Sequence, residues 1–210
     1  EIENGGKERT LLRTLDSIPV LAKAGAILSL SADKGNICDN PANLEVWAYE
    51  GNGEYSLYED KGDKSCITHF SMTHQKGKQV LEIVTQGDKT VLPTNRIVTV
   101  LLKNITEGEA VVLCNGEQIE TQELYENCAA VSFDFDCEKN YKIVVEYIEH
   151  SELERLKERA KKILTVSEEK NELKEQLYRK LCACKSPSEY CAIIRDSAIA
   201  ETTKMRLMEI

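Results

Sequence analysis

Residues 43–63 read NLEVWAYEGNGEYSLYEDKGD, and the fold turns on how this stretch is folded. Leu44, Val46 and Ala48 alternate with Glu45, Trp47 and Tyr49, a period of two that places one set on each face of a strand. Tyr55, Leu57 and Glu59 alternate in the same way with Ser56 and Tyr58. Between the two runs lies Glu50-Gly51-Asn52-Gly53, where glycine can take positive φ without a Cβ clash. The expected result is a hairpin, two strands joined by a tight turn. Asp60-Lys61-Gly62-Asp63 closes the second strand with another polar turn.

Working outward, the same period recurs on the C-terminal side. Residues 67–73, 79–86, 96–102, 110–113, 129–135 and 141–148 are alternating or β-branched runs separated by polar turns. Asn115-Gly116 is the strongest short hairpin signal among those turns. On the N-terminal side, residues 10–13 form a short strand candidate. Residues 20–30 are apolar except for Lys23 and Ser29, which suggests a strand covered on both faces. Gly25 within that run implies a bulge or a close backbone approach. At Ser151 the period changes to that of a helix. Ser151 and Glu154 have capping-box spacing, as do Ser186 and Glu189, with Pro187 at the first helical position. Leu153, Leu156, Ala160 and Ile163 share one helical face, and Leu173, Leu177, Leu181 and Cys184 another. A break is expected near residues 165–167, with Ser167 as N-cap of the next helix. The expected fold is mainly β with α: antiparallel β-sandwich regions followed by a small C-terminal helical bundle. The expected divisions are a proximal sheet region over 1–50, a distal antiparallel sandwich over 51–150 and helices over 151–210.

Composition narrows the function classes. The 210 residues carry a net charge of −9, yet residues 151–210 hold 13 Lys/Arg against 11 Asp/Glu. The acidic charge is therefore concentrated in residues 1–150, which argues against nucleic-acid binding, since that needs phosphate neutralisation by Lys and Arg. No run of about 18 apolar residues is present, so no membrane partner is expected. The eight cysteines are mostly scattered singly and read as reduced thiols of a cytoplasmic protein.

Two motifs carry a family resemblance. Residues 15–27, LDSIPVLAKAGAI, and residues 55–63, YSLYEDKGD, resemble in order and spacing the strand and turn motifs that follow the catalytic barrel in family 31 glycoside hydrolases. The resemblance spans roughly residues 4–147; Lys23 and Lys61 stand where that family usually has Arg and Asp. It implies retaining α-glucosidase or α-xylosidase chemistry in a parent chain, whose barrel would be the partner of this region. It implies that the proximal sheet starts part-way through, so its early strand would need cover from a second copy of the chain or a terminal segment. The family's nucleophile motif, Trp-x-Asp-Met-Asn-Glu, is absent, and no eight-fold strand–helix pattern fits, since about 250 residues are typical of such a barrel. Without the paired carboxylates that cleave a glycosidic bond, no catalytic residue is expected here.

Several residues remain as site candidates. Glu59, Asp60 and Asp63 form an oxygen-rich turn of the kind that can bind Ca²⁺, but lack the rest of a 12-residue loop. Trp47, Tyr49, Tyr55 and Tyr58 could stack on a sugar, or pair across strands and fill a core. His69 and His74 fall on opposite faces of an extended run, and Cys182, Cys184 and Cys191 lack CxxC spacing. No metal or cofactor is expected. The sequon spelled by Asn104-Ile105-Thr106 has no role in the cytoplasm. Three readings follow: a structural accessory region of an α-glucosidase-like enzyme, a carbohydrate-binding sandwich, or an interaction module that forms a homo-oligomer or docks a partner through Leu173, Leu177 and Leu181.

Overall fold

The structure is a computed structural model and describes residues 20–35, 39–103, 105, 110–125, 128–148 and 151–208. The strands belong to one compact unit and the helices to another. The strand unit contains β1 (Ile27–Ser31), β2 (Asn43–Tyr49), β3 (Gly53–Lys61), β4 (Lys64–Gln75), β5 (Lys78–Gly87), β6 (Arg96–Lys103), β7 (Ala110–Cys114), β8 (Glu117–Ile119), β9 (Gln122–Tyr125), β10 (Cys128–Phe135) and β11 (Tyr141–Tyr147). One sheet runs β1-β2-β6-β10-β9 and the other β3-β4-β5-β11-β7-β8. Every pairing is antiparallel except β2 with β6, which is parallel. A parallel pair needs a long crossover, and here β3, β4 and β5 of the opposite sheet supply it.

The inward faces follow the alternation. Leu44, Val46, Ala48, Val98, Val100, Leu102, Ala129 and Val131 from the first sheet meet Phe70, Met72, Leu81, Ile83, Val112, Ile143 and Val145 from the second. Each Val, Leu, Ile, Phe or Met among them contributes about 1.5–3 kcal/mol by leaving water, which makes this cluster the main source of the unit's stability.

The expected hairpin over residues 43–63 does not form. β2 and β3 are both strands, but β2 lies in the first sheet and β3 in the second. Residues 50–53 carry the chain from one sheet to the other instead of folding it back on itself. The reason lies in a backbone crossing. Gly25 (φ +79°) donates its N–H to the Glu50 carbonyl at 3.0 Å, and Tyr49 donates to the Ala26 carbonyl at 3.0 Å. A Cβ on Gly25 would lie 2.0 Å from the Asn52 oxygen, and one on Gly53 would lie 1.9 Å from the Gly25 oxygen. Two segments of bare backbone pass in contact, which explains the glycines on both sides. The close approach expected at Gly25 is therefore present. Hairpins form instead at β3–β4 around Gly62 (φ +68°), at β4–β5 around Gly77 (φ +68°) and at β7–β8 around Asn115 (φ 51°) and Gly116 (φ +90°). The last is the turn expected from Asn-Gly.

Three further expectations change. Within residues 20–30 only the Ile27 end is a strand. Val20 and Leu21 are 82% and 70% exposed, and Ile27 is the residue of β1 that enters the core. The run is not covered on both faces, because among the described residues β1 pairs only with β2 and turns Leu28 and Leu30 outward. The division at residue 50 cuts through one sandwich, since β2 pairs along its whole length with β6. The strand candidate at 10–13, and the edge it would leave, lie outside the described residues.

The second unit has α1 (Glu152–Val166), α2 (Asn171–Ala183), α3 (Pro187–Arg195) and α4 (Glu201–Leu207). Ser151 forms the full capping box with Glu154. Ser186 accepts from the Glu189 amide, while the Glu189 carboxylate accepts from Lys185 N. Ser167 is not an N-cap. It ends α1, its hydroxyl donating to the Leu164 carbonyl at 3.0 Å, and α2 starts at Asn171. Leu156, Ala160, Ile163, Leu177, Leu181, Cys184, Tyr190 and Ile194 share one core. The leucine stripe offered as an interaction surface thus has Leu177 and Leu181 inside the bundle, with Leu173 half-buried. Tyr190 sits at its centre, its hydroxyl donating to the Leu156 carbonyl at 3.3 Å, and burial pushes its pKa up.

Candidate functional site

The four aromatic residues considered for sugar stacking do not share a surface. Trp47 and Tyr49 lie on the outer face of the first sheet. The Trp47 indole N–H donates to Glu45 Oε2 at 3.0 Å, and Lys103 Nζ sits 3.7 Å from the ring centroid. Leu101, Cys128 and Ala130 pack against the same ring. Burial raises the Tyr49 pKa, with Cys128 adding to the effect. Tyr55 points the other way, into the core. Its hydroxyl accepts from Ser29 Oγ at 3.1 Å, and its ring lies 6.1 Å from that of Phe70. Tyr58 is 60% exposed on the outer face of the second sheet. A sugar could meet at most Trp47 and Tyr49 together, and the cation over Trp47 already occupies one face of the ring.

The oxygen-rich turn separates as well. Asp60 and Asp63 are exposed, whereas alternation turns Glu59 inward with Tyr55 and Leu57. There Glu59 meets Arg96, the first residue of β6. Arg96 Nη1 donates to Glu59 Oε2 at 2.8 Å and Nη2 to Oε1 at 2.5 Å. The two side chains are 4% and 1% exposed, and Arg96 Nε completes its bonding on the Pro41 carbonyl at 3.0 Å. This is the bidentate geometry that lets two charges leave water together. The pair joins β3 of one sheet to β6 of the other. Parity along β3 already marked Glu59 as inward, and a buried carboxylate requires a cation. The partner's signal was the charged residue heading the RIVTVLL run.

A second polar cluster was not legible in the sequence. Glu50 of the sheet-crossing turn, His74 near the end of β4 and Tyr147 at the end of β11 converge. The Tyr147 hydroxyl donates to Glu50 Oε1 at 3.1 Å and lies 3.3 Å from His74 Nδ1, while His74 Nε2 is 3.7 Å from Glu50 Oε1. The His74 amide donates to Asn52 Oδ1 at 2.7 Å. Carboxylate, phenol and imidazole can pass a proton among themselves. Their placement at the glycine crossing also makes them a clasp, tying β4 and β11 to the turn. Nothing in their spacing, 24 and 73 residues apart, could have brought them together without the topology.

The remaining candidates lie apart. His69 faces outward and pairs with Ser56 Oγ at 2.8 Å, on the face of β4 opposite to His74. Cys182 is exposed, Cys184 buried and Cys191 half-buried. Among the described residues no group of three or more His, Cys, Asp or Glu is placed to hold a metal ion. No helix among them is long and apolar enough to cross a membrane. No protein-family model matches the chain, and no curated protein matches its sequence. The resemblance to family 31 glycoside hydrolases therefore rests on its two motifs.

Proposed function

We propose that this chain is a non-catalytic structural region of an α-glucosidase-like glycoside hydrolase, a sandwich that buttresses a catalytic barrel supplied by the parent chain. The observation that carries this reading is the fate of Glu59. It is a carboxylate of the second motif, and its two oxygens are taken up by Arg96 inside the protein. The first motif is used in the same way, since Gly25 is held against the Glu50 carbonyl and the Asn52 backbone. Motif residues that lock two sheets together support a scaffold rather than a site that cleaves glycosidic bonds, which needs two accessible carboxylates flanking the bond.

Two measurements test it. The full chain incubated with nitrophenyl α-glucosides and α-xylosides is expected to give no turnover. Hydrolysis that disappears on one carboxylate change, such as Glu50→Gln, would overturn the proposal. An antibody raised against this chain is expected to detect, in extracts of the source cells, a polypeptide larger by at least a barrel of about 250 residues. A species at the 23.7 kDa of the chain itself would count against it.

A further inference from the structure

Four residues in the strand unit bring two thiols to one spot. Cys66 lies on the inner face of β4, opposite Glu59 of β3, and is 1% exposed. Cys137 follows β10 in the connection to β11 and is half-buried. Cys66, Val91 and Leu92 form one apolar cluster, and Cys137 packs against it. The chain around each cysteine is tied to the same short 3-10 turn, Lys89–Val91. Beside Cys66, the Ser65 carbonyl accepts from Asp88 N at 2.8 Å. Beside Cys137, the Glu138 carboxylate binds Lys89 Nζ at 2.7 Å. The backbone beside Cys66 and a side chain beside Cys137 are thus both held to consecutive residues of this turn. Both thiols are reduced in the structure.

We propose that Cys66 and Cys137 are a redox-responsive pair that closes into a disulfide when the protein meets a peroxide. Cys137, the more exposed of the two, is the first target: its thiolate sulfur attacks the peroxide O–O bond and gives the sulfenic acid, with one water released. The Cys66 sulfur then displaces the sulfenic hydroxyl, forms the S–S bond and releases a second water. Two thiols and one hydrogen peroxide thus give one disulfide and two waters, and a dithiol reductant reverses the change. Burial pushes the Cys66 thiol pKa up, with Glu59 adding to the effect. This keeps Cys66 protonated and slow toward the oxidant, so that Cys137 is the first to react. The product would staple β4 to the β10–β11 connection beside the Arg96–Glu59 pair.

The test uses the full chain carrying Cys182→Ser, which removes an exposed thiol. The protein is treated with hydrogen peroxide, denatured in an alkylating reagent, digested and mapped by mass spectrometry. The expected result is loss of two alkylatable thiols and a linked peptide containing Cys66 and Cys137 that dithiothreitol abolishes. Cys137 trapped as sulfinic acid with Cys66 alkylated would overturn the proposal, and so would either cysteine linked mainly to a different one. The map needs no substitution in the core. Cys137→Ser serves as a second arm, in which Cys66 must stay alkylatable after peroxide; a Cys66 still consumed there would also overturn it.

Discussion

At Gly25 two separate constraints meet in one residue. Its φ of +79° is a conformation that L side chains avoid at about 1–2 kcal/mol, and the space for a Cβ is taken by Asn52 backbone 2.0 Å away. Gly62, in the β3–β4 hairpin, has nearly the same φ of +68° but open space around it. The pair separates dihedral strain from steric exclusion. Gly62→Ala is expected to cost about 1 kcal/mol, and Gly25→Ala about 3 kcal/mol or more because the crossing must also open. Urea denaturation followed by Trp47 fluorescence reads both, since this is the chain's single tryptophan and lies in β2. Equal costs would mean that the crossing yields without resistance.

Among the described α-helices, α4 is the shortest and leans on its neighbours. Seven residues are too few for a helix to persist alone, because nucleation costs more than so short a ladder returns. Its N-cap, Ala200, has no side-chain oxygen to offer. Glu169, in the α1–α2 connection, takes that role: its Oε1 accepts from Ala200 N at 2.8 Å and from Thr203 Oγ1 at 3.1 Å. A carboxylate at this end also favours the helix dipole. The other end is held by Arg159 of α1, whose Nη2 donates to the Arg206 carbonyl at 3.0 Å. Lys157 likewise caps the end of α2 through the Cys182 and Cys184 carbonyls. Glu169→Ala is expected to cost about 1 kcal/mol and to speed amide exchange in residues 200–204 far more than in α2. Uniform exchange across the bundle would show that Glu169 does not hold α4. The comparison of sequence with structure belongs at this scale. Strand periods, the Asn115-Gly116 turn and the Ser151 cap are local signals, and each element appears where those residues put it. Whether two consecutive strands pair or part is not local. Glu50-Gly51-Asn52-Gly53 fits a hairpin, and only Gly25, a distant residue, makes it a crossing between sheets. Glu169 as a cap for a helix 31 residues later is invisible for the same reason.

For the strand unit as a whole, the two sheets are joined mainly by apolar contact, and at the Arg96–Glu59 pair β3 and β6 meet through charge. Removing one partner would strand a buried charge, at a cost of about 3–5 kcal/mol, whereas an exposed pair is worth at most about 1 kcal/mol. The chain holds an internal control in Lys78–Glu146, which has a 2.8 Å contact and side chains 44% and 57% exposed. Glu59→Gln and Arg96→Met are each expected to lower stability by about 3 kcal/mol or more, and the double variant to recover much of that loss, because no unpaired charge remains. Glu146→Gln should stay within about 1 kcal/mol of the parent. Trp47 fluorescence follows the strand unit, while far-UV circular dichroism at the helical minimum reports mainly on residues 152–207, so the two units can be read separately in one titration. If the single and double changes simply add, the two charges are independent of each other, and the pair is not what clamps β3 to β6. If they couple, the carboxylate of the second motif is a structural element of the sandwich, as the scaffold reading requires.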